Sequence, residues 1–156
     1  MKSLAIGLMM WMQANCNVPG VAPEHNFCNL NMDLNAPKIV VLPQRALVKK
    51  FRSHSGNVPG RSDSIIKGFY VKEGRSRFTI YMLDQNYSSI LPQTDLLHEL
   101  AHYIQDKNGE MADKCPSDYE IPAYLLQIHY YKEKTGQGAT ADMIDIYKRM
   151  YCNISY

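Results

Sequence analysis

The sequence predicts an α+β domain: a small antiparallel or mixed sheet packed against helices. Short β-branched or alternating runs, Lys38-Ile39-Val40-Val41-Leu42 and Arg77 to Leu83, read as strands. Longer stretches carry apolar residues at helical spacing, notably Leu96 to Gln105 and Leu125 to Tyr131. A chain of 156 residues, 46% apolar and 21% charged, is long enough for one core and too ordinary in composition for disorder. A single domain over residues 1–156 is expected.

Taken in order, residues 3–14 form an amphipathic helix that turns Leu4, Leu8, Trp11 and Met12 inward. Lys2 and the apolar run after it also have the shape of a signal peptide. Gly20-Val21-Ala22 stands before Pro23, a poor cleavage position, so the packed helix is the preferred reading. The run is too short for a membrane span. Residues 15–36 are an irregular loop rich in Pro and Asn, followed by the strand at 38–42. Pro43 to Ser53 reads as a short helix with Leu47 and Phe51 on one face, and Ser53 to Ser64 as a loop. Ile65 to Val71 and Arg77 to Leu83 form a hairpin around Lys72 to Ser76. In its second strand Phe78, Ile80 and Met82 share one face, and Thr79, Tyr81 and Leu83 the other.

Pro92 to Asp95 supplies the start of the next helix, with Thr94 as N-cap and Asp95 as first-turn acid. Asn108-Gly109 stops it. Ser117-x-x-Glu120 opens a further helix that ends at Thr135-Gly136. Pro122 is tolerated only near a first turn, which moves the expected start to Asp118 or Tyr119. Thr140-Ala141-Asp142 caps a last helix running to Tyr151, with Lys148 and Arg149 at its favourable C-terminal end.

The net charge of +2 is nearly balanced. Lys49-Lys50-Phe51-Arg52 and Arg75-Ser76-Arg77 are too short for a nucleic-acid footprint and read as solvated faces. Neither a nucleic-acid partner nor a stable membrane span is expected.

The most informative segment is His98-Glu99-Leu100-Ala101-His102, an H-E-x-x-H motif in an apolar helical stretch. Positions four apart share a helix face, so two imidazoles are presented to one ion. Glu99 sits beside that ion, where it can take a proton from water. This is the pattern of the zinc-metallopeptidase helix. If the match were chance on a core helix, His98, Glu99 and His102 would lie solvated on the outer face. A catalytic zinc has three protein ligands. Glu120, near the start of the following helix, is the preferred third ligand; the competing reading is a capping-box acid, with Glu110, Asp113 or Asp118 as ligand instead. Tyr124 follows one turn later on the same face. Its phenol can donate to a carbonyl oxygen as charge develops there, or hold a ligand histidine; packing alone explains it equally well. Gln105 and Gln127 are weaker candidates for supporting the site. His25, His54 and His129 are given no role.

H-E-x-x-H followed by a glutamate on a later helix resembles the gluzincin arrangement of zinc metallopeptidases. More closely, HELAHYIQ, then a Cys, then EIPAY and a Gln, looks like a group of small bacterial proteins regarded as secreted metallopeptidases. The resemblance spans residues 4–152, with its specific motifs within 96–127. It implies a zincin-like fold, one zinc per chain on His98, His102 and Glu120, and Glu99 as general base and acid toward a peptide or protein substrate. In that fold an edge strand lies above the metal cleft, and Arg77 to Leu83 is the expected candidate for adding an extended peptide. Larger gluzincins often carry an aspartate four residues after the glutamate ligand; this chain has Tyr124, so the support of the first histidine must be built differently. The alternative function is a zinc-stabilised binding domain without turnover.

Four cysteines, Cys16, Cys28, Cys115 and Cys152, contain no C-x-x-C pair. Four allow three connectivities; Cys16 with Cys28 and Cys115 with Cys152 is the preferred one. Two disulfides place the protein outside the cell or in the bacterial periplasm, with a reduced cytoplasmic chain as the alternative.

Overall fold

The structure, a computed structural model, describes residues 1–55, 66–74, 77–111 and 116–138. It is an α+β arrangement. The strands are β1 (Lys38–Leu42), β2 (Gly68–Glu73) and β3 (Arg77–Leu83), and the helices among the described residues are α1 (Lys2–Ala14), α2 (Gln44–Ser55), α3 (Ile90–Lys107) and α4 (Pro116–Thr135). The sheet is mixed, in the order β1-β3-β2. β1 runs parallel to β3, with Lys38 opposite Thr79 and Leu42 opposite Leu83. β2 runs antiparallel to β3, with Gly68 opposite Met82 and Glu73 opposite Arg77.

The alternation in β3 divides the core as expected. Ile80 and Met82, with Phe78 beside them, face the larger cluster, which holds Ala5, Leu8, Met9 and Met12 of α1, Leu96, Leu97, Leu100 and Ile104 of α3, and Ala123 and Leu126 of α4. Tyr81 and Leu83 face a smaller cluster beneath α2, with Leu47, Val48, Phe51, Ile66 and Phe69. The sheet thus separates α2 from the other three helices. Burying each large apolar side chain contributes roughly 1.5–3 kcal/mol, so α3, with Leu96, Leu97, Leu100 and Ile104 fully enclosed, is anchored mainly by packing.

α1 is part of this core rather than an appendage. Trp11 closes its outer side: the indole Nε1 donates to Glu133 Oε1 and Oε2 at 3.0 and 2.9 Å, and the ring meets Tyr130 edge-on at 4.7 Å. Just beyond α1, Cys16 and Cys28 form a disulfide, and the loop it closes is held inside by the Asn26 side chain, which accepts the Val18 backbone N–H at 2.8 Å. Cys115, Cys152 and the last helix expected from Thr140 lie outside the described residues. No described helix is long and apolar enough to cross a membrane.

Four expectations need correction. β3 is not an edge strand: it is paired on both sides, and β2 is the outer strand on the side next to α3. The metal helix does not begin at Thr94. It begins at Ile90 after Ser89, which places Pro92 and Thr94 inside it. Proline is harmless there because the first four N–H groups of a helix have no intrahelical partner. Thr94 is fully buried and its hydroxyl donates to Leu91 O at 2.7 Å. Finally, α4 starts at Pro116 and carries Pro122 in its interior. The intrinsic cost of that proline, about 3 kcal/mol, is offset by the apolar face formed by Ala123, Leu126 and Tyr130, all buried. β2 is also displaced from the expected 65–71 to Gly68–Glu73.

Candidate metal centre

α3 places His98 and His102 one turn apart on the face that meets α4. Both are buried, as is Glu99: the three side chains' residues are 8%, 5% and 8% exposed, in the order His98, His102, Glu99. The motif is therefore not on a solvated outer face. Glu120, on the first turns of α4, comes across the helix interface. Its Oε2 lies 3.3 Å from His98 Nε2 and 3.3 Å from His102 Nε2; the two Nε2 atoms are 3.0 Å apart. These residues form a group whose ligand atoms can hold a metal ion. Three ligands at about 2.0–2.1 Å around a tetrahedral ion are about 3.3 Å from one another, so the triangle has the required size. Its chemistry, two imidazoles and a carboxylate, also fits zinc.

The described competitors for the third position go elsewhere. Glu110 and Asp118 are not in that group and line a pocket with His25, Leu30 and Gln105; Asp113 lies outside the described residues. His129 packs against Trp11 at 5.7 Å, and His54 faces Glu73 at 3.9 Å.

Around the triangle the supporting groups are specific. Tyr124 lays its ring on His98, with centroids 4.2 Å apart and planes tilted by 50°. Tyr119 meets His102 edge-on at 5.8 Å. Gln105 Oε1 is 3.0 Å from His102 Nδ1, and its Nε2 donates to Tyr119 O at 2.9 Å. Gln127 turns away from the ligands, toward Thr94 Oγ1 and Asp95 Oδ1 at 3.1 and 3.3 Å. Burial raises the Asp95 carboxyl above its usual range, against hydrogen bonds from Gln85 and Gln127.

Two features near the motif carry no sequence signal of their own. Gly68 on β2 lies so close to Glu99 that a Cβ added there would sit 3.2 Å from Glu99 Cγ and 2.6 Å from Met82 Sδ. The outer strand therefore runs directly beside the Glu99 side chain. Asp106, one turn beyond His102, accepts from Tyr70 Oη at 2.6 Å and from Lys72 Nζ at 2.8 Å, which fastens β2 along α3. Only the i+4 spacing from His102 connects Asp106 to the site in sequence.

No family model, no curated protein and no solved structure matches the chain. Its function must be argued from the centre itself.

The electrostatics of the triangle are coupled. Burial disfavours charge on His102, but hydrogen bonding to and attraction by Glu120, helped by Glu99, outweigh it and lift the ring from 6.5 to about 9. Burial likewise pushes the Glu120 carboxyl up, while the hydrogen bonds and charge of His102 and His98 hold it well below the ordinary glutamate value of 4.5. In the metal-free protein the raised histidine stabilises the fold fully below 6.5 and loses that contribution as pH rises through about 9. The depressed carboxylate stabilises above 4.5 and loses its contribution as pH falls. Thermal melting of the metal-free protein should therefore be highest between 4.5 and 6.5 and decline toward 9. Excess zinc, which needs the unprotonated imidazole, should reverse that alkaline decline. A metal-free melting temperature that climbs from pH 6.5 to 9 would contradict the Glu120–His102 pairing.

Proposed function

We propose that this chain is a zinc-dependent peptidase of gluzincin type on a zincin-like fold, hydrolysing peptide bonds in a protein or peptide substrate. The observation that carries the reading is the convergence of His98 Nε2, His102 Nε2 and Glu120 Oε2 within 3.0–3.3 Å beside the buried Glu99. A sheet whose outer strand lies along the H-E-x-x-H helix supports the zincin-like fold.

His98, His102 and Glu120 are the residues that would hold the ion. A bound zinc supplies a Lewis acid that polarises a scissile carbonyl and acidifies a water. Glu99 takes the proton from that water and returns it to the leaving amine. Tyr124 touches His98 ring to ring, a contact that fits both holding that ligand histidine and plain aromatic packing. The substrate backbone is taken up by β2, whose outer edge replaces β3 in this role; Gly68 lets that strand approach Glu99. The Cys16–Cys28 disulfide supports a secreted or periplasmic site of action.

The alternative, a zinc-stabilised binding domain without turnover, is favoured by Tyr124 standing where larger gluzincins often carry an aspartate. One observation weighs against it. The Glu120 side chain is 27% exposed, against 10% for His98 and 7% for His102, so solvent reaches the centre from the carboxylate side.

The test is elemental analysis of wild type and Glu120→Ala, each purified without added metal. About one zinc per chain in wild type, lost or much reduced in the variant, is expected. Equal zinc in both would move the third ligand elsewhere, and none in either after zinc is added back would remove the site.

A further inference from the structure

The Gln105 side chain touches both halves of the centre. It lies three residues after His102 on α3, is 3% exposed, and spans from the His102 ring to the backbone of α4. Its two contacts fix each other. Tyr119 O is a backbone carbonyl and can only accept, so the Gln105 amide nitrogen must face it, at 2.9 Å. The amide oxygen is then the atom 3.0 Å from His102 Nδ1. An amide oxygen also only accepts, so Nδ1 must carry hydrogen. The lone pair of the neutral ring is left on Nε2, the atom that faces His98 Nε2 at 3.0 Å and Glu120 Oε2 at 3.3 Å. Tyr119 directly precedes Glu120, so the same amide braces the backbone from which the third ligand projects.

We infer that Gln105 is the positioning residue of this centre: it sets the tautomer and orientation of His102 through Nδ1 and ties that ligand to the backbone beside Glu120. The inference rests on the metal-site reading proposed above. The outer hydrogen-bond partner of a ligand histidine typically contributes about 10–100-fold in metal affinity. Gln105 further makes the geometry of one ligand depend on the placement of another, because a shift of α4 at Tyr119 pulls on the amide that orients His102.

The test is zinc affinity, measured by competition with a chromophoric chelator, together with the visible spectrum of the cobalt-substituted protein. Gln105→Met keeps length and removes both hydrogen bonds; it should bind zinc about 10–100-fold more weakly and alter the cobalt spectrum. Gln105→Glu keeps an acceptor toward Nδ1–H but replaces the donor to Tyr119 O with a second acceptor; it should bind zinc more tightly than Gln105→Met and more weakly than wild type. Should Gln105→Met not fold, Gln105→Asn, one methylene too short to bridge ring and carbonyl, takes its place with the same expected loss. Wild-type affinity in the Met or Asn variant would overturn the role while leaving the metal site intact. Equal impairment in the Glu and Met variants would overturn it too, because rescue by the acceptor would be missing. No zinc binding by wild type would remove the site, and the positioning role with it.

Discussion

Glu99→Gln should leave zinc content at the wild-type level and lower peptide hydrolysis by about 10²-fold or more. The two expectations are separable because Glu99 is not one of the three grouped ligand residues. It is buried beside them, with β2 close enough at Gly68 for a Cβ there to come within 3.2 Å of its Cγ. A glutamine fills the same space and keeps a hydrogen-bonding end, so the packing under β2 is preserved. It cannot accept and return a proton, and that is the function assigned to the carboxylate. Zinc analysis paired with turnover of a peptide library, screened first on wild type, reads both quantities. Turnover like wild type in the variant would refute Glu99 as general base. Loss of zinc with turnover would instead make Glu99 part of the metal's support.

The largest expected effect on stability is from Leu100→Ala. Leu100 stands between the two histidines in sequence, is fully buried, and belongs to the cluster shared by α1, α3, α4 and the inner face of the sheet. Truncating a leucine in such a place costs about 2–5 kcal/mol, from lost transfer free energy and the cavity left behind. Set against a typical total of about 5–15 kcal/mol, that is a large fraction of the stability of one domain. At about 2–4 °C per kcal/mol, the melting temperature should fall by roughly 4–20 °C. Leu91, 50% exposed on the first turn of the same helix, is the control: its truncation to Ala should change stability by about 0.5 kcal/mol or less. Similar losses in the two variants would mean that the helix is not anchored by its inner face.

The candidate site was largely legible in the chain because its signals are local. His98 and His102 announce themselves by spacing, and Glu120 by its place near the start of the next helix. The alternation of Phe78, Ile80 and Met82 against Tyr81 and Leu83 separated the two faces of β3 correctly. What alternation does not encode is which neighbours a strand has. β3 took the centre because β1 pairs with it in parallel, across a connection that includes α2, and nothing within 77–83 announces that long-range pairing. Thr94 was misplaced as a cap because its hydroxyl has a use inside the helix, bonding Leu91 O and receiving Gln127. Pro122 argued for a later helix start because its penalty is local, while the packing that offsets it comes from elsewhere in the fold. The bridge made by Gln105 was not legible for a similar reason. A glutamine on a helix reads as surface until the carbonyl of Tyr119, from another helix, is brought beside it.

The chain has one tryptophan, and its surroundings give it a use apart from any chemistry. Trp11 is held between its own helix and α4, bonded to Glu133 and set against Tyr130 and His129. Its emission is therefore a single-site optical gauge of one joint, the seam between the N-terminal helix and the C-terminal half of the helix that carries Glu120. A red shift in that emission marks the parting of α1 from α4, separately from the loss of helix content followed by circular dichroism. The two signals together distinguish a chain that opens at this seam first from one that melts as a unit.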